Sequence, residues 1–169
     1  MAKVIVVDSN KCYACLGCVV ECAYHQAGAG PDVSLSSGIL SYAGCAVVAV
    51  GDEPVPLVCN HCEDAPCMAV CPTSAIRRES QDAPVLLDVE RCIGCKACVM
   101  ACPFGMIQIR HNAASALKCD LCTDRAAQGL APACVVACPT GALELKELDD
   151  VIAEARKRAA SALAKGSQT

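Results

Sequence analysis

Short apolar runs separated by turn residues recur along most of the chain. They lie at Val4 to Val7, Val55 to Val58, Ala75 to Arg77, Val85 to Asp88, Met106 to Arg110 and Ala142 to Leu145. Runs this short, rich in Val, Ile and Leu, are typical of strands in small antiparallel hairpins. Each run lies directly before or after a group of cysteines, so the strands are expected to frame those groups.

The C-terminal residues follow a helical period instead. Apolar residues recur there at Leu148, Val151, Ile152, Ala155, Ala159 and Leu163. The charged residues on the largely opposite face are Glu154, Arg156, Lys157 and Arg158. This pattern predicts an amphipathic helix within residues 147–169, frayed from Lys165 to Thr169. Such a helix packs on its own domain in most proteins, and docking to another subunit is the alternative.

The segment from Ala27 to Glu53 is rich in Gly and Ser before it becomes apolar. It separates the first group of cysteines from the second. The composition predicts a surface loop followed by a strand, as in a hairpin that faces a partner. We therefore treat residues 27–54 as a connecting loop and hairpin.

Composition changes the picture, because the chain has few of the side chains that usually fill a core. Its 169 residues suit one compact unit or two small modules, and only 2% are aromatic. The chain instead contains seventeen cysteines. The N-terminal residues lead straight into the first cysteine group without a secretory or twin-Arg leader, which predicts a cytoplasmic protein. In that compartment closely spaced cysteines bind metals rather than form disulfides.

Charge and hydropathy exclude two classes of partner. The formal net charge is -4, so the chain is acidic. No basic patch or aromatic surface is available for nucleic acid. The longest apolar runs, such as Cys45 to Val50, are far too short for a membrane span.

Sixteen of the cysteines fall into four groups of one repeated motif. Two groups have the spacing Cys-x2-Cys-x2-Cys-x3-Cys: Cys12, Cys15, Cys18, Cys22 and Cys92, Cys95, Cys98, Cys102. The other two widen the gap between the second and third cysteine: Cys59, Cys62, Cys67, Cys71 and Cys119, Cys122, Cys134, Cys138. The undisturbed spacing is that of bacterial ferredoxins, whose fourth cysteine binds a second 4Fe-4S cluster. Single Cys-x2-Cys pairs more often bind zinc, but these triplets do not suit one tetrahedral ion.

Because the fourth cysteine of a motif serves another cluster, the motifs must work in pairs. Four motifs therefore predict four 4Fe-4S clusters. The flanking strands pair the first motif with the fourth and the second with the third. We expect an α+β fold of two nested bacterial-ferredoxin-like modules with short antiparallel β-hairpins, short helices and the C-terminal helix. The outer module takes in residues 1–26 and 111–146, and the inserted module residues 55–110.

Three runs of sequence give the chain a specific family resemblance. They are Pro56 to Cys67, Asp88 to Cys98, and Lys118 to Arg125 leading to Pro132 to Ala142. These runs resemble the four-cluster iron-sulfur subunits of dimethyl sulfoxide reductase, formate dehydrogenase, carbon monoxide dehydrogenase and tungsten aldehyde oxidoreductase systems. The resemblance covers roughly residues 3 to 146. It implies four ligand sets: Cys12/Cys15/Cys18/Cys138, Cys119/Cys122/Cys134/Cys22, Cys59/Cys62/Cys67/Cys102 and Cys92/Cys95/Cys98/Cys71.

Some residues near the motifs are open to two interpretations. Cys45 has no spaced partner and is expected to be a small buried hydrophobe rather than a redox group. His61 either donates to a cluster sulfur or lies on the surface of a tight loop. Lys96, Lys118 and Arg125 either raise a cluster potential or are ordinary solvated charges.

The motifs predict electron transfer rather than catalysis. Each cluster has four cysteine ligands and no open position for a substrate, and no radical, nucleotide-binding or triad motif is present. The chain is therefore not expected to be an enzyme on its own. We expect the wire subunit of an oxidoreductase complex, such as a tungsten- or molybdenum-pterin aldehyde oxidoreductase, with a flavin subunit as a further partner. The alternatives are a ferredoxin of carbon monoxide dehydrogenase or hydrogenase, a free carrier, and self-association into an end-to-end conducting oligomer or filament.

Overall fold

The computed structural model describes residues 3–28, 38–109 and 115–166, with side chains up to residue 164. Its strands are β1 (Lys3–Val7), β2 (Ala46–Val50), β3 (Glu53–Leu57), β4 (Ile76–Arg77), β5 (Leu86–Leu87), β6 (Ile107–Ile109), β7 (Ala116–Lys118) and β8 (Leu143–Glu147). Its α-helices are α1 (Gly17–Ala27), α2 (Pro66–Ala69), α3 (Ala97–Ala101), α4 (Thr123–Ala127), α5 (Ala133–Val136) and α6 (Leu148–Gly166). The mixture of short helices and small antiparallel sheets confirms the α+β class.

The two ends of the cysteine-rich region meet in one small sheet. Strands β1 and β8 are antiparallel, with Ile5 opposite Leu145 and Val7 opposite Leu143. The amide of Asp8 extends the pairing by donating to Ala142 O at 2.9 Å. The outer strands therefore meet as the apolar runs predict. In the same way β4 pairs with β5, between the second and third motifs.

The other two sheets are local hairpins: β2 is the strand expected at the end of the 27–54 segment, but the apolar runs did not predict its pairing with β3 or the pairing of β6 with β7. Strand β3 pairs with β2 across the turn at Gly51, and β6 pairs with β7. The hairpins therefore cross the positions at which we separated the expected modules, between residues 54 and 55 and between 110 and 111. Neighbouring strands close a short loop at a lower entropy cost than distant ones, which favours this pairing. Arg110, residues 29–37 of the connecting loop and residues 167–169 of the expected frayed end lie outside the described residues.

Cysteines make up much of the buried core. One cluster of buried residues packs Ile76, Val85 and Ile107 around Cys67 and Cys98. A second packs Val58 and Leu143 around further cysteines: Cys18, Cys22, Cys45 and Cys134. The thiols thus occupy the positions that large side chains fill in most small domains, so stability should depend on what binds them.

The C-terminal helix forms as predicted but does not pack along the protein. Side chains from residue 152 to 164 are exposed, and Leu163 is 75% exposed. The helix is held near its start, where Lys146 Nζ lies 2.9 Å from both carboxylate oxygens of Glu154. The expectation that this helix packs on its own domain is therefore wrong for the described side chains. Within the described residues, no helix has both the length and the apolar character needed to cross a membrane.

Candidate metal centres

The four motifs share a backbone feature that spacing alone does not reveal. In each motif the residue before the second cysteine has a left-handed conformation, with φ of 62° at Ala14, 45° at His61, 65° at Gly94 and 57° at Leu121. This conformation costs an L-amino acid roughly 1–2 kcal/mol, and three of the four positions are not glycine. The repeated strain curls each loop so that its cysteines face a common centre.

A short helix carries the third cysteine of every motif, and the fourth lies within that helix or just after it. The third cysteine is the second residue of α1, α2, α3 or α5: Cys18, Cys67, Cys98 and Cys134. Of the fourth cysteines, Cys22 lies within α1, Cys102 directly follows α3, and Cys71 and Cys138 lie two residues after the ends of α2 and α5. In α1 the two positions are about one helical turn apart, roughly 5–6 Å along the axis. Each of these short segments can therefore supply ligands to two different centres.

Three compact cavities collect the cysteines in mixed sets. Site 1 is lined by Cys12, Cys15, Cys18 and Cys138. Site 3 is lined by Cys59, Cys62, Cys67 and Cys102. Site 4 is lined by Cys71, Cys92, Cys95 and Cys98. Each site combines three cysteines of one motif with the fourth of another.

The remaining cysteines of the motifs lie together at what we call site 2: Cys22, Cys119, Cys122 and Cys134. All four are buried. Burial raises the pKa of Cys122 to about 12, and negative charge on Asp120, Cys134 and Cys22 adds to this effect. Burial likewise raises the pKa of Cys119, with charge on Cys22 adding to it. Neighbouring buried thiols of this kind ionise together only when a cation such as iron compensates their charge.

Backbone amides point at the sulfurs, as a bound iron-sulfur cluster requires. Gly44 donates its N–H to Cys22 Sγ at 3.2 Å, and Ala142 donates to Cys138 Sγ at 3.2 Å. The three other such contacts, each 3.4 Å, run from Met106 to Cys102, from Ala116 to Cys92 and from Leu121 to Cys119. Amide donors stabilise thiolate sulfur and help to set cluster potential. The residues present therefore fit 4Fe-4S clusters.

Cys45 is buried as expected, but it does more than fill space. Its Sγ donates to Cys18 O at 3.4 Å. Contacts with the sulfurs of Cys134, Cys18 and Cys22, in that order, raise the pKa of its thiol. It therefore lies between site 1 and site 2. Sequence reasoning missed this position because Cys45 has no spacing relation to the motifs.

The basic residues near the motifs differ in their surroundings. Lys96 is exposed at the edge of site 4, and Arg125 donates Nε to Ala131 O at 2.8 Å. Lys118 is only 5% exposed. His61 accepts an N–H from Val85 at Nδ1, at 3.0 Å, and burial together with the charge of Lys118 lowers its pKa to about 3. The interpretation of His61 as a plain surface residue and of Lys118 as a solvated charge is therefore wrong.

The fold and these centres define an iron-sulfur electron-transfer protein of the oxidoreductase-subunit type. Residues 52–148 match the family model of the 4Fe-4S dicluster domain. The chain belongs to that family.

Three curated relatives support the assignment over most of the chain. It is 39% identical to an iron-sulfur protein of Rhodospirillum rubrum, covering 92% of this chain and 89% of the relative. It is 36% identical to the electron transport protein HydN of Escherichia coli K12, covering 95% and 98%. It is 35% identical to a subunit of the anaerobic dimethyl sulfoxide reductase of Escherichia coli K12, covering 86% and 73%.

Proposed function

We propose that this protein carries single electrons through four 4Fe-4S clusters as the wire subunit of a larger oxidoreductase. The proposed ligands are the four cysteines at each of sites 1 to 4. Bound there, the clusters accept and release one electron at a time, without bond making at a substrate. The observation that carries the proposal is that every site combines cysteines from two motifs, so that sites 1 and 2, and likewise sites 3 and 4, draw ligands from the same short segments.

The shared elements give the sites an order. Helix α1 supplies Cys18 to site 1 and Cys22 to site 2, while α2 and the residues after it supply Cys67 to site 3 and Cys71 to site 4. Sites 2 and 3 are linked through Cys59 of site 3 and Cys119 of site 2. Burial is the main cause of the raised pKa of Cys119, and the negative charge of Cys59 raises it further. The proposed path of an electron therefore runs through sites 1, 2, 3 and 4 in that order or its reverse.

We further propose that the sites form two nested modules. Sites 1 and 2 belong to residues 1–26 and 111–146, and sites 3 and 4 to residues 55–110. The pairing of β1 with β8 and of β4 with β5 supports this division. The hairpins β2–β3 and β6–β7 then act as connections that hold the modules side by side.

The proposed partner is a cytoplasmic molybdenum- or tungsten-pterin oxidoreductase, with a flavin subunit as a second contact. The relative that is a dimethyl sulfoxide reductase subunit favours this class. The exposed length of α6 supports a subunit over a free carrier, since a diffusing ferredoxin needs no such helix. Association with carbon monoxide dehydrogenase or hydrogenase is the second candidate.

Cysteine variants test the number and composition of the sites. The reconstituted protein should hold about sixteen iron atoms, four for each cluster. Cys138→Ala and Cys12→Ala should lose the same paramagnetic signal, that of site 1. Cys134→Ala and Cys22→Ala should lose a different one, that of site 2. If Cys138→Ala and Cys134→Ala, from the same motif, lost the same signal instead, the proposed ligand sets would be wrong.

Anaerobic isolation from the native host tests the partner. Molybdenum or tungsten with a large pterin-binding subunit supports the proposal, and nickel supports the carbon monoxide dehydrogenase or hydrogenase alternative. A lone chain with about sixteen irons indicates a free carrier.

A further inference from the structure

A buried lysine lies at the boundary between site 2 and site 3. Lys118 Nζ donates to Val85 O at 2.6 Å and to Cys119 O at 3.1 Å, and it lies 3.4 Å from His61 Nδ1. A lysine ammonium has three N–H donors, and the two carbonyl oxygens accept two of them. The side chain is therefore held in one place.

The charge of Lys118 has no carboxylate partner within the described part of the chain, where the ion pairs involve other residues. A buried charge without a counter-charge is unfavourable. The negative groups next to it are ligand cysteines: Cys119, its neighbour in sequence at site 2, and Cys67 at site 3, whose thiol interacts with the Lys118 charge. The positive charge of Lys118 thus lies where the negative charge of sites 2 and 3 can balance it.

His61 offers a hydrogen-bond donor on the same side of site 3. Its Nδ1 accepts from Val85 N and faces the Lys118 ammonium, so the ring proton must lie on Nε2. Nε2 is buried and has no hydrogen-bond partner in the described protein. The ring lines site 3 together with its four cysteines. A buried donor without a partner is costly, unless a sulfur in the cavity accepts its proton.

The backbone fixes this ring in position. Arg78 Nη2 donates to the carbonyl oxygens of His61 and Cys62, both at 2.7 Å. The equivalent positions of the other motifs are Ala14, Gly94 and Leu121, and none of these side chains carries a polar donor. Among the four motifs, the one that begins at Cys59 alone provides a side-chain N–H at this point.

We propose that His61 and Lys118 together raise the reduction potential of the cluster at site 3. His61 donates its Nε2–H to a sulfur there, and Lys118 places its positive charge between sites 2 and 3. The inference rests on the proposed function, because it requires clusters at both sites. Reduction adds one negative charge to a cluster, and donors and cations beside the sulfurs stabilise that charge. Site 3 is thereby a favoured resting place for an electron in the middle of the path.

Redox titration of the four-cluster protein, followed by electron paramagnetic resonance, tests the proposal with matched variants. His61→Asn suits the site because asparagine tolerates a positive φ. It should lower the one-electron equilibrium constant for reducing the cluster at site 3 about tenfold, which lowers the reduction potential of that cluster by about 59 mV. The potentials of the clusters at the other three sites should not change. Lys118→Met should lower the equilibrium constants for reducing the clusters at sites 2 and 3. Lys118→Arg, which keeps the positive charge, should leave both constants close to their wild-type values. Lys96→Met, which removes an exposed lysine at site 4, is the control and should leave site 3 unchanged.

A second measurement starts from the wild-type protein. In its reduced form, labelled with ¹⁵N-histidine, pulsed resonance should show a nitrogen coupled to the cluster at site 3. A His25 ring nitrogen lies within 4.8 Å of the Cys122 thiol of site 2, so His25→Asn, which should retain the coupling at site 3, distinguishes the two rings.

The outcomes separate this inference from the proposed function. About sixteen irons with unshifted potentials in both the His61 and Lys118 variants, or no coupled histidine nitrogen, would overturn the inference alone. An equal shift at all four sites would also overturn it. Fewer than four clusters in the wild-type protein would overturn the proposed function itself.

Discussion

Gly44 provides the sharpest test of site 2, because it contacts that site in two ways. Its amide donates to Cys22 Sγ at 3.2 Å. A methyl group added at Gly44 would lie 3.1 Å from Cys119 Cα and 3.3 Å from both Cβ and N of that residue. Carbon atoms in ordinary contact are about 3.5–4.0 Å apart. Gly44→Ala must therefore push the Cys119 backbone away from residue 44 by a few tenths of an ångström.

The size of the effect follows from the cost of overpacking. One extra methyl in a close-packed region costs about 1–3 kcal/mol. If the strain is relieved when site 2 opens, iron should leave that site about 5- to 150-fold faster than in the wild type. The other three sites should lose iron at the wild-type rate, since Cys119, the ligand that the added methyl group displaces, belongs to site 2 alone.

Anaerobic release of iron to a ferrous chelator measures this directly. Gly44→Ala should show a fast phase of one quarter of the iron and the loss of one paramagnetic signal. Ala49→Ser, which adds an atom at an exposed position of β2, should behave as the wild type. A single slow phase in Gly44→Ala, or uniformly faster loss of all iron, would refute the placing of Gly44 against site 2.

Three further predictions concern strain, stability and docking. Ala14→Gly should slow the loss of iron from site 1 by up to about fivefold, since glycine relieves roughly 1 kcal/mol of left-handed strain at an exposed residue; a faster loss would contradict this origin of the strain. Removing the iron should abolish cooperative thermal unfolding, because thiols take the place of large apolar side chains in the core; a native-like circular dichroism spectrum in the iron-free chain would argue otherwise. Deleting residues 148–169 should leave about sixteen irons bound but release the chain from its partner; loss of iron would instead show that α6 supports the fold.

Much of the fold could be predicted because cysteine spacing is so restrictive. The apolar runs beside the motifs identified β1, β3, β4, β5, β6 and β8 to within two residues. The pairing of β2 with β3 and of β6 with β7 was not predictable, since short strands have little pattern to define their partners. The burial of His61 and Lys118 also escaped prediction, because a polar residue next to a ligand looks the same in sequence whether solvent or a cavity surrounds it.

Because the spacing of the third and fourth cysteines is fixed in every motif, insertions are tolerated elsewhere in the motif. The gap between the second and third cysteine holds two residues in two motifs, four in another and eleven in the last, whereas three residues always separate the third from the fourth. In the longest gap the added residues form α4 and its following turn, and Cys134 is still the second residue of α5. A protein engineer could therefore insert a binding loop or label between Cys62 and Cys67, while a single residue inserted between Cys67 and Cys71 would disconnect site 3 from site 4.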